Sequence, residues 1–206
     1  MKILVFGATG STGRILVQAA REAGHQVTAF VRDPSKLDRR DVHFVHGDVN
    51  NLESVRQAIA GKDAVISTLG SRSMKRDPNL VAGVRNIVEV MQESEAKRLI
   101  YMSSMGVGDS KQQLGFFGRH VIAPLLLRSA LADHGENEAA ITGSDLEWTI
   151  VRPTQLTDGP QSEYRSGEGI RASDSSSAVS RASVAHFMLD QLESDEFVGA
   201  KPNIMS

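Results

Sequence analysis

Three glycines at three-residue spacing stand in the stretch Gly7-Ala8-Thr9-Gly10-Ser11-Thr12-Gly13. The apolar run Lys2–Phe6 precedes them, and residues 14–22 follow with apolar side chains at helical spacing. A glycine turn between a strand and a helix gives each glycine a task. Gly7 permits the tight exit from the strand, Gly10 lets backbone approach a pyrophosphate, and Gly13 lets the helix pack close to the sheet. Free amides and the dipole at the helix start favour anionic phosphates. Thr9, Ser11 and Thr12 add hydroxyl donors. The chemistry implied is dinucleotide binding; the plainer alternative is a strand-to-helix turn with no ligand.

The end of the second strand selects the dinucleotide. An acidic residue there binds ribose hydroxyls, as in NAD sites. This chain reads Val31-Arg32-Asp33-Pro34-Ser35-Lys36. Arg32 takes the critical place, and a guanidinium matches a 2′-phosphate with paired hydrogen bonds. Ser35 and Lys36 would assist, so the expected cofactor is NADPH. Asp33, about twenty residues beyond Gly13, is the competing reading, as the acid of an NAD site.

Stepping outward, the elements that must hold these residues alternate short apolar runs with longer amphipathic ones. Strands are predicted at Lys2–Phe6, Gln26–Val31, 42–45, Ala64–Ser67, Arg98–Met102 and 148–151. Helices are predicted at 14–22, 52–60 and 80–94, with Gly24 stopping the first and Asn50 or Asn51 capping the second. The class is α/β, a Rossmann-like doubly wound parallel sheet in three α/β/α layers, in one domain over residues 1–206. Two segments break the rhythm, 106–129 and 158–180, and both follow strands, so both would emerge at the ligand-binding edge.

Bulk properties narrow the classes of partner. The 206 residues are 40% hydrophobic and 23% charged with a net charge of −2, which gives no reason to expect nucleic acid or a membrane surface. The chain has no cysteine, which excludes disulfides and a thiolate nucleophile. The first apolar run is too short for a signal peptide. A cytoplasmic monomer is expected. No His/Asp/Glu spacing suggests a metal.

In order along the chain, Gly7 to Gly13, Val31-Arg32-Asp33-Pro34, Gly47-Asp48-Val49 and Trp148-Thr149-Ile150-Val151-Arg152-Pro153 resemble the atypical short-chain dehydrogenase/reductases with an NmrA-like NAD(P)-binding fold. Asp63-Ala64-Val65-Ile66, Leu69-Gly70-Ser71-Arg72, Arg85-Asn86-Ile87-Val88 and His186-Phe187-Met188-Leu189 extend the match over essentially the whole chain. Within the group it is most similar to the biliverdin-IXβ reductase, or flavin reductase, members. It departs from them at Glu138 and Gln155, where their pattern carries histidine. The resemblance implies that Asp48 and Val49 flank the adenine, and that Leu69, Gly70 and Arg72 border the adenosine and pyrophosphate. It places Ser103 and Ser104 beside the nicotinamide, and Pro153 and Thr154 on its carboxamide side.

Tyrosine-dependent members of this superfamily need a lysine four residues after the tyrosine, to lower its pKa for proton shuttling. Here Tyr101 is followed at that spacing by Met105, and Tyr164 by Glu168. Hydride transfer itself needs no such pair, because the cofactor carries it. Planar conjugated acceptors such as flavins, biliverdin-type tetrapyrroles or quinones suit this economy. Ser104 is then the candidate for orienting the acceptor or a proton-delivering water. His134 and Glu138 share a helix face if 130–142 is helical, and both are candidates to face the acceptor. Phe116, Phe117 and Arg119 are candidates for a wall over the acceptor. The competing reading is a redox sensor that binds NADP(H) without turnover, and a structural protein retaining the dinucleotide fold is third.

Overall fold

The computed structural model describes residues 1–37, 42–71, 75–116, 120, 127–172 and 177–206. Its centre is the first strand, β1 (Lys2–Phe6). Ile3 and Val5 bury themselves on one face and Leu4 and Phe6 on the other. A strand buried on both faces requires a helical layer on each. Helices α1 (Ser11–Glu22) and α5 (Arg181–Asp190) cover the first face through Leu16, Val17, Val184 and Phe187. Helices α2 (Leu52–Ile59), α3 (Pro78–Glu93) and α4 (Arg128–Thr142) cover the second through Val55, Leu80, Val84 and Ile141.

The remaining strands are β2 (Gln26–Val31), β3 (His43–His46), β4 (Ala64–Ser67), β5 (Arg98–Met102), β6 (Glu147–Pro153), β7 (Leu156–Thr157), β8 (Arg165–Gly167), β9 (Val179–Ser180) and β10 (Asn203–Met205). The main sheet has the order β3-β2-β1-β4-β5-β6-β10-β8, parallel except for β8 at its edge. This is the Rossmann-like α/β architecture expected. The chain leaves β1 for one side of the sheet and later returns to the other, so β1 and β4 bound the topological switch point. Phe6 pairs with Ser67, Ser67 with Tyr101 and Met102 with Val151, so four strand ends open on one edge.

The predicted strands and helices are present, with ends displaced by a few residues. Asn51, rather than Asn50, caps α2 by accepting from the Ser54 amide at 3.0 Å, and Gly24 ends α1 at φ +86°. Asp77 caps α3 three residues before the apolar periodicity begins at Leu80. The prediction of 158–180 as irregular needs correction, because it contains β8 and β9. Two- and three-residue strands are too short to display a period of two. No described helix is long and apolar enough to cross a membrane.

Candidate functional site

The glycine turn is held from beneath by β4. Gly7 adopts φ +79°, a conformation costly for side chains with a Cβ. A Cβ there would lie 2.8 Å from the Thr68 carbonyl carbon, and one on Gly13 would lie 2.2 Å from the Gly7 carbonyl oxygen. Gly10 differs: its Cβ would meet only the Gly7 oxygen, at 3.2 Å. Two of the glycines are therefore demanded by the protein's own packing, and the third leaves a face open. No side chain caps the start of α1, and no acid stands in its first turn. First-turn amides have no partner within a helix, an arrangement that suits an anion. Ser11 is exposed, Thr9 half-buried and Thr12 buried. Thr68, which the sequence did not single out, donates its hydroxyl to the Phe6 and Gly7 carbonyls at 3.2 and 3.3 Å.

At the end of β2, Arg32 is exposed. Asp33 is engaged locally, accepting from the Ser35 amide at 3.1 Å and hydroxyl at 2.6 Å. Those two bonds, with Lys36 adding to them, hold its carboxyl below the ordinary range. Arg14 ties this region to the glycine turn. Its Nε donates to the Thr9 carbonyl at 3.0 Å and its Nη2 to the Lys36 carbonyl at 3.2 Å. Nothing in the sequence around Arg14 announces that strap.

Beyond β3, Asp48 is exposed and its carboxylate accepts from the Asn50 amide at 2.9 Å. The Val49 side chain is buried under Gly83, whose Cβ would come within 2.4 Å of it. Leu69 is half-buried and Gly70 exposed with open space around it. Arg72 lies outside the described residues, as do Phe117 and Arg119.

The β5 and β6 ends are built differently. Arg152 is 2% exposed and projects from a strand of otherwise uncharged interior residues. It donates to both Glu138 oxygens, at 3.0 and 2.6 Å, and to Asp109 at 3.0 Å. Burial alone would lower its pKa; the two carboxylates more than offset that and hold it above its ordinary value. Ser103, also buried, donates to Glu138 at 2.6 Å. Lys201 approaches the same carboxylate at 3.7 Å. Glu138 is thus the centre of a desolvated network and not a free acid. A lone charge in an interior strand must find a partner, so Arg152 is the signal that would have located it.

Ser104 is half-buried between two anchored neighbours. The Ser103 amide donates to the Val151 carbonyl at 2.8 Å and the Met105 amide to the Pro153 carbonyl at 2.9 Å. Pro153 is buried, and the Thr154 amide donates to Ile204 at 3.1 Å. Tyr101 is fully buried, accepting from Asn137 Nδ2 at 2.9 Å, with its hydroxyl 2.8 Å from His134 Nδ1. The donor in the Tyr101–His134 contact depends on the imidazole tautomer; with the phenol donating to Nδ1, Nε2 carries the proton of a neutral ring. Burial pushes the Tyr101 phenol above its ordinary value and His134 below its own. Phe116 is 81% exposed with its ring 4.7 Å from that of His120.

Residues 7–195 match the model of a family described as NAD(P)H-binding. The chain belongs to this NAD(P)H-binding family. It is 28% identical to the uncharacterised protein YwnB of Bacillus subtilis over 218 residues, covering all of this chain and 99% of that one. It spans only 31% to 52% of the length of other curated relatives. Among solved structures, ChuY, titled an anaerobillin reductase, from Escherichia coli O157:H7 superposes with a TM-score of 0.82 at 21% identity, over 99% of this chain and 96% of ChuY. A short-chain dehydrogenase/reductase of Veillonella parvula in complex with NADP gives 0.81 at 20% identity, over 100% and 94%. Both share its fold.

For an NAD(P)H-binding member the residues fit the group. The open face at Gly10 and the uncapped start of α1 suit a pyrophosphate, and Ser103, Ser104, Pro153 and Thr154 stand on the same edge. No group of three metal-ligating side chains occurs among the described residues.

Proposed function

We propose that the chain is an NADPH-dependent reductase that passes hydride to a planar conjugated acceptor such as a flavin, a biliverdin-type tetrapyrrole or a quinone, with no Tyr/Lys pair. One observation carries the reading. Tyr101, the tyrosine nearest the strand ends, is sealed in the core between Asn137 and His134 and is followed four residues later by Met105. It is in no position to exchange protons with an acceptor, and Tyr164, followed by Glu168, has no lysine to activate it. Bound NADPH would supply the hydride, two electrons with one proton, and solvent the second proton that completes the reduced acceptor.

The residues of the chain would bind, orient and exclude. The α1 amides and the Gly10 backbone would hold the pyrophosphate, with Thr9, Ser11 and Thr12 beside it. Arg32, Ser35 and Lys36 would bind the 2′-phosphate; the engagement of Asp33 by Ser35 and the NADP of the Veillonella parvula structure support that choice. Asp48 and Val49 would border the adenine, and Leu69, Gly70 and Arg72 the adenosine. Ser103 and Pro153 would fix the floor under the nicotinamide through the Arg152–Glu138 network, with Thr154 at its carboxamide. Ser104, whose hydroxyl donates to the Met105 carbonyl at 3.3 Å, would orient the acceptor or a water as a hydrogen-bonding group and not as a proton donor.

The test measures NADPH oxidation against FMN, biliverdin and a quinone, together with NADPH and NADH affinities of Arg32→Ala. Turnover of at least one acceptor, and a tenfold loss of preference for NADPH, are expected. Tight NADPH binding with no turnover of any acceptor would overturn the reductase in favour of a redox sensor.

A further inference from the structure

Two residues past Ser104, and so within about 7 Å of it, the chain borders a cavity of about 360 Å³. Gly106, Val107, Gly108, Leu131 and Ala132 line it together with the two cations Lys111 and Arg128. That volume falls in the range of small-molecule sites. Neither cation makes a hydrogen bond or ion pair with any described residue. Asp109, the acid nearest Lys111 in sequence, directs its carboxylate to Arg152 at 3.0 Å instead.

Arg128 adds a second peculiarity. It opens α4, a helix with no acid in its first turn. Cations are unfavourable at that end of a helix, where the backbone already presents positive partial charge. Two like charges lining one cavity, one of them at an unfavourable helix position, form an arrangement that an anion would stabilise.

We propose that this cavity receives an anionic group of the acceptor, a phosphate or carboxylate held by Lys111 and Arg128, while the ring system lies back toward Ser104. This rests on the reductase reading and narrows its substrate class: planar acceptors bearing a peripheral anion are preferred to neutral ones. Hydrogen-bonded ion pairs of this kind discriminate strongly only when the anion is present to make them.

Two matched pairs differ only in that anion: FMN against riboflavin, and biliverdin against its dimethyl ester. The protein should favour the anionic member of at least one pair by tenfold or more in kcat/KM, with the phosphate and carboxylate pairs reporting which anion is read. In Lys111→Ala/Arg128→Ala that ratio should collapse to about twofold. A parallel titration of each probe into the NADP⁺-loaded protein, followed by quenching of probe or protein fluorescence, reads the same discrimination with no turnover. NADPH binding serves as the folding control, and Lys111→Gln/Arg128→Gln replaces the alanine pair if that control fails. Discrimination under twofold in both pairs overturns the inference, as does discrimination that survives the double substitution. Turnover that fails while the binding preference persists would overturn only the reductase reading.

Discussion

The two halves of the carboxyl edge are made by opposite means. On the β1–β4 side, the cradle is backbone and small residues: Gly7, Gly10, Gly13 and Thr68, with charges left at the surface. On the β5–β6 side, a buried guanidinium, a buried carboxylate and a buried serine are locked together under Ser104. The first half brings peptide amides to a ligand that carries its own charge. The second half desolvates charges of the protein itself, at a cost that only a rigid and complete network offsets. The two sides should therefore fail differently when altered.

The largest effect is expected at Arg152. Arg152→Met leaves Glu138 buried with only Ser103 and the more distant Lys201, and should lower folding stability by about 3–5 kcal/mol. Adding Glu138→Leu should recover most of the loss, since well-packed apolar replacements of buried ion pairs are near neutral. Denaturant unfolding of the single and double variants measures both. An Arg152→Met protein as stable as the parent would show that the network is not what fixes this edge.

The glycines sharpen the same contrast within one turn. Gly13→Ala forces a Cβ to 2.2 Å from the Gly7 oxygen and should cost about 3 kcal/mol of stability, with cofactor binding lost alongside. Gly10→Ala meets only one atom, at 3.2 Å, and should cost under about 1 kcal/mol while weakening NADPH binding at least tenfold. Calorimetry of the variants with and without NADPH separates packing from ligand approach. Equal stability losses at the two positions would remove the distinction between them.

Legibility follows the same division. The glycine turn was readable because its instructions are local, a strand, seven residues and a helix in sequence, although Thr68 beneath it comes from the end of β4. The sheet was readable because β1, β2, β4, β5 and β6 are largely buried apolar runs separated by amphipathic ones, with only the edge strand β3 largely exposed. The β5–β6 side was not. Ser103, Asp109, Glu138, Arg152 and Lys201 are far apart in sequence and meet only through the order of β5, β6 and β10, which no periodicity reveals. Glu138 was singled out as a residue facing substrate; its charge is instead matched inside the protein. Arg152 was passed over inside an apolar motif. Strands β7 to β10 were missed because two or three residues carry no pattern.

Arg14 tests whether the cofactor half has a long-range element of its own. Its bonds to the Thr9 and Lys36 carbonyls hold the turn after β2 against the glycine turn. Arg14→Ala should reduce the preference for NADPH over NADH about tenfold, or ~1.4 kcal/mol, by releasing the residues proposed to meet the 2′-phosphate. Arg14→Lys, which cannot span both carbonyls with a planar fork, should rescue little. Cofactor titration supplies the ratio. An unchanged ratio with both affinities weakened would make Arg14 a support of the glycine turn alone.

The smallest effect belongs to the β5–β6 side and concerns protons. Burial holds the His134 pKa below its ordinary value of 6.5, the Glu138 and Asp133 charges opposing it less strongly. Between the folded value and 6.5 the unfolded chain binds more protons than the folded one. Stability must therefore rise with pH through that window, level off above it and fall as acid is added below about 6.5. His134→Gln retains an acceptor for the Tyr101 hydroxyl but cannot titrate. The difference in unfolding free energy between parent and variant should accordingly be flat at neutral pH and move against the parent on acidification. Other carboxylates contribute to both proteins and cancel in that difference. A flat difference down to about pH 5 would mean that His134 is not held neutral beside Tyr101, and that the phenol's partner in the core is not the imidazole nitrogen assigned to it.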